Sequence, residues 1–213
     1  MNVIHRSALS RAVRAAGVIL LLGFASCSAW SNYIPPADED FHKTSANCMS
    51  IGTQNLSPDD SRRVLAAAAA VCRIIASERF AADLKTVKLF ASCDGASGQP
   101  APIESDTVVA QLREAASPQT RFSIVPVKPP CAIGLTDRSN MRVAINPERI
   151  LSWDGTENGG PLVETLAHEF VHIIADSYRD RGHGESCPEA RLVSYRVGTV
   201  AAKLWKEEQR NVK

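Results

Sequence analysis

Residues 165–174, TLAHEFVHII, decide how the rest of the chain is interpreted. The titratable side chains of this run are His168, Glu169 and His172, which form the pattern HExxH among uncharged neighbours. Residues four apart lie one above the other on a helix, so both imidazoles can point to one place. Apolar residues recur at the spacing of a buried helical face, namely Leu162, Leu166, Phe170 and Ile173. The run therefore predicts a rigid, buried helix with two histidines and a glutamate on one side.

Two imidazoles on adjacent turns of a helix suit one Zn²⁺ ion. Burying them with a glutamate in an apolar helix is costly unless a partner such as a metal compensates. A catalytic zinc site takes three protein ligands and leaves its fourth position to water. The sequence therefore predicts His168 and His172 as zinc ligands, and Glu169 as the general base that accepts a proton from water.

The third ligand is less clear from the sequence, where Asp176, His183, Glu185 and Glu189 follow the motif. Three ligands from one straight helix would spread along its axis, so we expect Asp176 at most to support a ligand by a hydrogen bond. His183 lies in a loop between two glycines, eleven residues after His172. That interval differs from the six residues of the motif HExxHxxGxxH. His183 remains the alternative third ligand because imidazole binds zinc well.

Glu189 is the preferred third ligand. It follows Pro188, where a final helix is predicted to begin and to run through Leu204. A rigid helix that returns towards the first one can deliver a glutamate to the metal. The competing interpretation is that an acidic residue in a first helical turn only complements the positive end of the helix dipole.

The segment after the motif also carries a family resemblance. HExxH followed by residues 187–191, CPEAR, resembles the mitochondrial ATP synthase-processing metallopeptidase family, in which HExxH is followed by Cys-x-Glu-Ile-Arg-Ala. Cys187, Glu189 and Arg191 fall on matching positions, within a resemblance that extends from Leu166 to about Gly198. The resemblance implies a zincin fold of the gluzincin type and supports Glu189 as the third ligand. We carry over the arrangement of the site and leave the family's substrate aside.

The rest of the chain predicts an α+β fold. A helix is predicted to start at Pro58, capped by Ser57, and another to cover residues 106–116, capped by Ser105. Strand patterns occupy residues 86–92, 121–127 and 141–145. We therefore expect a zincin-like single domain, in which a small mixed sheet packs against the HExxH helix and a C-terminal helix. Residues 141–145 are interpreted either as an edge strand that pairs with an extended peptide or as an ordinary core strand.

The N-terminus predicts export. Residues 1–27 combine a basic region with an apolar core at residues 15–24 that is too short to span a membrane, and they are interpreted as a signal peptide. Residues 24–27, FASC, resemble a bacterial lipoprotein box that makes Cys27 the lipid-anchored first residue. Ordinary signal cleavage after residues 27–29 is the alternative. Residues 28–40 then form a linker and residues 41–213 the catalytic domain, located in the bacterial periplasm, on the membrane through Cys27, or secreted.

Composition limits the partners and the cysteine chemistry. A net charge of +1 offers no electrostatic basis for binding nucleic acid. Export permits disulfides, and an odd number of cysteines remains once Cys27 is set aside, so at least one of them is expected to be unpaired or to pair between chains. These five are Cys48, Cys72, Cys93, Cys131 and Cys187.

The expected function is an exported zinc metallopeptidase that hydrolyses peptide bonds in a peptide or protein substrate. The alternative is a metal-binding or interaction lipoprotein without proteolytic activity. A structural zinc site has no need for a glutamate beside its first histidine, so Glu169 favours hydrolysis. The donor that stabilises the negative oxygen of the transition state is left open among four residues, namely Tyr178, His183, Arg191 and Tyr195.

Overall fold

The computed structural model describes residues 41–43, 48–94, 99–127, 133–180, 184 and 186–212. The predicted signal peptide and linker, residues 1–27 and 28–40, lie outside this set together with the proposed lipid anchor Cys27. Cys131, His183 and Glu185 also lie outside the described residues. In the described part of the chain, no helix is both long and apolar enough to cross a membrane.

The described residues form the predicted α+β fold. Their α-helices are α1 Pro58–Ala76, α2 Glu78–Leu84, α3 Ser105–Ala115, α4 Pro147–Leu151, α5 Gly160–Ile174 and α6 Val193–Asn211. Their strands are β1 Phe41–Lys43, β2 Ser50–Gly52, β3 Leu89–Ser92, β4 Ala101–Ile103, β5 Arg121–Pro126, β6 Gly134–Asp137 and β7 Arg142–Ile145. The small mixed sheet and the C-terminal helix α6 were both expected.

The main sheet has the strand order β1-β2-β5-β7-β6, and β3 pairs with β4 in a separate two-stranded sheet. Strand β5 runs parallel to both of its neighbours, β2 and β7. The outer strands run antiparallel to theirs, β1 to β2 and β6 to β7. Strand β7 corresponds to the predicted strand at residues 141–145, but it lies between β5 and β6 and is not an edge. The edge-strand interpretation of residues 141–145 was therefore wrong and the core-strand alternative is confirmed, since β6 is the outer strand on this side of the sheet.

One hydrophobic core joins the sheet to the helices. Helix α1 starts as predicted, because the Ser57 side chain accepts a hydrogen bond from the Asp60 backbone N–H at 3.2 Å. Helix α5 packs on the sheet, where Phe170 faces Phe122 of β5 with ring centroids 6.5 Å apart. Its other side lies against α1 and α6. Burial on several sides holds α5 rigidly.

Two predicted helix starts differ from the structure. Ser105 is the first residue of α3, and the residue before it, Glu104, is the N-cap without a side-chain hydrogen bond. The final helix does not begin at Pro188. A single 3-10 turn, Glu189–Arg191, comes first and ends in extended backbone at Leu192, so that α6 starts only at Val193. Glu189 is therefore not on the C-terminal helix.

Disulfides pair four of the cysteines. Cys48, just before β2, is bonded to Cys72 of α1. Cys93, just after β3, is bonded to Cys187, and both are buried in a small apolar cluster with Phe90. The second bond closes a separation of 94 residues, which removes much freedom from the unfolded chain. It also attaches the segment before α6 to the end of β3.

Candidate metal centre and active site

Helix α5 brings the two motif histidines together. Their Nε2 atoms lie 3.3 Å apart, and both side chains are partly buried. This is the convergence predicted from the four-residue spacing. Glu169, between them in sequence, is only 5% exposed.

A third ligand-type side chain, Asp180, meets the two histidines. Its Oδ2 atom lies 2.9 Å from His168 Nε2 and 3.0 Å from His172 Nε2. The three ligand atoms all lie within 4.8 Å of one another. Among the described residues, these three side chains form the group that could hold a metal ion. Sequence reasoning had not considered Asp180.

The path of the chain after α5 explains the position of Asp180. The helix ends at Ile174, and Ala175 is already extended. Tyr178 is then buried, with 3% of its surface exposed, and the Arg179 backbone N–H donates to Ala91 O of β3 at 2.9 Å. These two anchors turn the chain back over α5, so that a residue eight positions after His172 faces the motif.

Hydrogen bonds fix the form of His172. Its Nδ1 atom lies 3.0 Å from the Tyr178 carbonyl oxygen, which can only accept, so Nδ1 carries the proton. In the neutral ring, Nε2 therefore presents its lone pair to the Asp180 carboxylate. Burial alone would lower the pKa of His172, but the hydrogen bond and charge of Asp180 outweigh it and raise that pKa. Two acceptors this close require a proton or a metal ion between them.

The Asp180 carboxylate is held from its other side. Ser194, in the first turn of α6, donates its hydroxyl to Asp180 Oδ1 and is 1% exposed. Burial would raise the pKa of Asp180, but the hydrogen bonds that it shares with the two histidines, the charge of His172 and the hydrogen bond from Ser194 lower that pKa strongly. Asp180 is therefore ionised at neutral pH and oriented by α6, as expected for a ligand supported by a second hydrogen-bonding group.

Glu169 faces strand β6. The Thr136 hydroxyl lies 2.7 Å from Glu169 Oε2 and 3.2 Å from the Glu169 backbone carbonyl oxygen. Burial raises the pKa of Glu169, although the nearby histidines and the Thr136 hydrogen bond oppose this effect. A carboxylate with a raised pKa is a better proton acceptor near neutral pH, which suits a general base.

The structure does not bring Glu189 to the two histidines. Glu189 is exposed, lies in the 3-10 turn before α6, and hydrogen-bonds the side chain of Tyr195. Asp180 stands where the sequence interpretation had expected Glu189. The difference arises because α6 starts later than predicted, while the chain returns to the motif much earlier. The alternative ligand His183 lies outside the described residues.

A cleft of about 930 Å³ opens over the three ligand-type side chains. Its walls include Gly134, Leu135 and Thr136 of β6 on one side and Tyr195 of α6 on another. The ring of Tyr195 stands edge-on to His168 with centroids 4.7 Å apart. The cleft is large enough for several residues of an extended chain, and its lining includes the histidine pair and Glu169.

The four candidates for the oxyanion donor differ in whether they line the cleft and in what their side chains contact. Tyr195 lines the cleft beside His168, and its side chain hydrogen-bonds the exposed Glu189. Tyr178 also lines it, but its hydroxyl donates to Gln111. Arg191 is exposed outside the residues that line the cleft, and His183 is not among the described residues. Asp176 was expected at most to support a ligand by a hydrogen bond, and it forms an ion pair with Arg138 at 2.5 Å.

One sequence signal could have identified Asp180. The apolar pattern of α5 stops at Ile174, and Asp176 and Ser177 then favour a turn, so an acidic residue shortly after that turn is a natural candidate for a returning ligand. Comparison with known proteins adds no further constraint, because no family model, curated protein or solved structure matches this chain.

Proposed function

We propose that this chain is an exported zinc-dependent metallopeptidase, with His168, His172 and Asp180 as the metal ligands and Glu169 as the general base. The observation that carries the proposal is the meeting of three ligand atoms within 4.8 Å at the floor of a cleft, next to a buried glutamate. Two histidines and one carboxylate are a common ligand set of catalytic zinc.

The donor set fits a metal ion in its chemistry. The Nε2 lone pair of His172 and the Asp180 carboxylate oxygen are both acceptors at 3.0 Å, an arrangement that a cation between them stabilises. Ligand atoms at about 2.0–2.1 Å from a tetrahedral zinc lie about 3.3 Å apart, close to the 2.9–3.3 Å separations of the three atoms. Nitrogen and oxygen ligands of this kind suit zinc better than Mg²⁺ or Ca²⁺.

The reaction we propose is hydrolysis of a peptide bond. When bound, zinc supplies Lewis-acid chemistry, since it makes a water molecule more acidic and polarises a carbonyl group. Glu169 accepts the proton of the attacking water and passes it to the leaving amine. Tyr195, whose ring stands beside His168 in the cleft, is the residue that we propose to hydrogen-bond the developing negative oxygen, once its hydroxyl turns from the exposed Glu189 to the substrate.

The proposed substrate is an extended peptide. Within the described residues, β6 has a hydrogen-bonded neighbour only on its β7 side, and three of its residues line the cleft. An edge strand of this kind offers backbone groups to a peptide that adds as a further strand. This support concerns β6 and not residues 141–145, which the sequence had suggested.

Location and family are part of the proposal. The signal-like residues 1–27 favour export, either with a lipid anchor at Cys27 or with ordinary signal cleavage, and the two disulfides suit an oxidising compartment. The resemblance to the mitochondrial ATP synthase-processing metallopeptidase family supports a zincin arrangement of the two histidines and Glu169. It does not extend to the third ligand that we propose.

Replacement of the base tests the activity. We expect Glu169→Gln to retain about one zinc per chain while its cleavage of an unstructured protein such as casein falls by at least about 100-fold, because the amide cannot accept a proton. Zinc is measured by atomic absorption and cleavage by release of labelled peptides. Cleavage at the wild-type rate by this variant would contradict the catalytic assignment. Zinc binding without any cleavage by the wild-type chain would favour a non-proteolytic metal-binding protein.

A further inference from the structure

We propose that Gly134 and Thr136, two residues of edge strand β6, are positioning residues that hold the Glu169 carboxylate in its place beside the histidine pair. The inference rests on the proposed function, in which Glu169 is the general base. Successive side chains of a strand point to opposite faces, so positions 134 and 136 share the face that meets α5. The two residues act on different oxygens of the same carboxylate.

Thr136 holds one oxygen. Its hydroxyl has a single proton and lies 2.7 Å from Glu169 Oε2 but 3.2 Å from the Glu169 backbone carbonyl, so the carboxylate is the better acceptor. Among the described residues, the Thr136 hydroxyl is the protein donor that hydrogen-bonds the Glu169 carboxylate. Oε2 is therefore engaged by β6, whereas Oε1 has no protein hydrogen-bond donor among the described residues.

Gly134 leaves the space for the other oxygen. A Cβ atom at this position would lie 2.5 Å from Glu169 Oε1 and 2.9 Å from Thr165 Cγ2, both well inside normal contact. Any larger residue would have to displace the carboxylate or separate β6 from α5. The glycine is required here by the close approach of the glutamate and not by its backbone angles.

This arrangement matters because a glutamate side chain has several rotatable bonds and loses its alignment easily. A base displaced by about 1 Å can reduce the rate by about 100-fold. Without the hydroxyl of Thr136, the buried carboxylate would also lack a protein donor, which is unfavourable for a charged group. β6 thus carries the proposed peptide-binding edge and, on one face, the two groups that orient the base.

The first test separates positioning from binding. We expect Thr136→Val to lower kcat by about 10- to 100-fold while KM for a peptide substrate stays within about twofold and zinc content is unchanged. Thr136→Ser, which keeps the hydroxyl, should restore most of kcat. Gly134→Ala should show the same loss in kcat. Thr107→Val, at an exposed position of α3, and Gly184→Ala, where an added Cβ meets nothing within 4 Å, are the matched controls.

A full rate in Thr136→Val, or a failure of Thr136→Ser to recover activity, would overturn the inference. A KM increase with unchanged kcat would also overturn it, because the hydroxyl would then act on substrate binding.

The second test needs no activity. In chelator-treated protein, we expect Thr136→Val to lower the melting temperature by about 2–4 °C, and by less than half as much when Glu169 is already alanine. Equal shifts in both backgrounds would show that the hydroxyl does not interact with the carboxylate and would overturn the inference. This measurement remains valid if the wild-type chain binds no zinc and cleaves nothing, a result that would defeat the proposed function alone.

Discussion

Asp180 is the residue whose role depends most on structure. A sequence pattern can place His168 and His172 on one helical face because their spacing is local. The position of the proposed third ligand depends on where α5 ends and on how the next residues are anchored, by Tyr178 in the core and by the Arg179 hydrogen bond to β3. The two histidines and the glutamate could therefore be predicted, whereas spacing alone favoured Glu189 and His183 and did not point to Asp180.

The contact between Asp180 and His172 makes the metal-free protein sensitive to pH. The pKa of His172 is raised, so its contribution to stability is complete below the unfolded value of 6.5 and is lost as the pH rises through the folded value. The pKa of Asp180 is lowered, so its contribution is complete above 3.8 and is lost as the pH falls. The pair therefore stabilises the metal-free fold most between these two values.

We accordingly expect chelator-treated wild-type protein to melt at a higher temperature at about pH 5.5 than at about pH 8.5, with a larger difference than in Asp180→Asn. The comparison is repeated with Glu169→Gln in both proteins, because the charge of Asp180 also raises the pKa of Glu169. Thermal melts followed by circular dichroism at the two pH values provide the measurement. The same pH dependence in both proteins would show that Asp180 does not stabilise a protonated histidine.

The pair of helices α5 and α6 is the element that presents the site. Helix α5 carries the two histidines and Glu169, the proposed base, and α6 contributes the Ser194 hydroxyl that donates to Asp180. Gly198 of α6 sits where an added Cβ would lie 2.8 Å from the Glu164 carbonyl oxygen and 3.3 Å from His168 Cβ. The close approach of the two helices therefore depends on this glycine.

Gly198→Ala tests the helix contact. Overpacking costs about 1–3 kcal/mol, which exceeds the gain of about 1 kcal/mol in helix propensity, so we expect a net loss of stability and weaker zinc binding as His168 moves. Thr199→Ala, at the next and exposed position, changes helix propensity without that contact and should be neutral or slightly stabilising. Urea unfolding and zinc titration measure both effects. Unchanged stability and zinc affinity in Gly198→Ala would show that the helices can separate freely.

Sequence patterns predicted the long elements better than the short ones. α1 and α5 have many periodic apolar residues and, for α1, a capping serine, so both were predicted. β6 has four residues, including a glycine at one end and an aspartate at the other, and it is a strand only because β7 pairs with it. For the same reason the sequence left residues 141–145 open between an edge strand and an ordinary core strand. The start of α6 was placed too early because Pro188 and Glu189 are typical of a helix start but here form a 3-10 turn.

At the scale of the whole molecule, one core and two disulfides support a cleft whose floor is the ligand cluster. The Cys93–Cys187 bond attaches the segment that leads into α6 to the end of β3, while Arg179 attaches the segment of Asp180 to the same strand. The proposed third ligand thus stands on a part of the chain held from both directions. The α+β class and its small mixed sheet were predictable from composition and pattern, but this cross-connection was not.

Zinc content of the wild type and three variants tests the central claim most directly. We expect about one zinc per chain in the wild type and in Glu189→Ala, and less than about 0.2 in Asp180→Ala after dialysis against a weak chelator. Asp180→Asn, which keeps a hydrogen-bonding side chain beside Ser194, should also lose zinc, and a wild-type circular dichroism spectrum in either variant shows that the fold is retained. Retention of zinc by both Asp180 variants, with its loss in Glu189→Ala, would contradict the proposed metal centre.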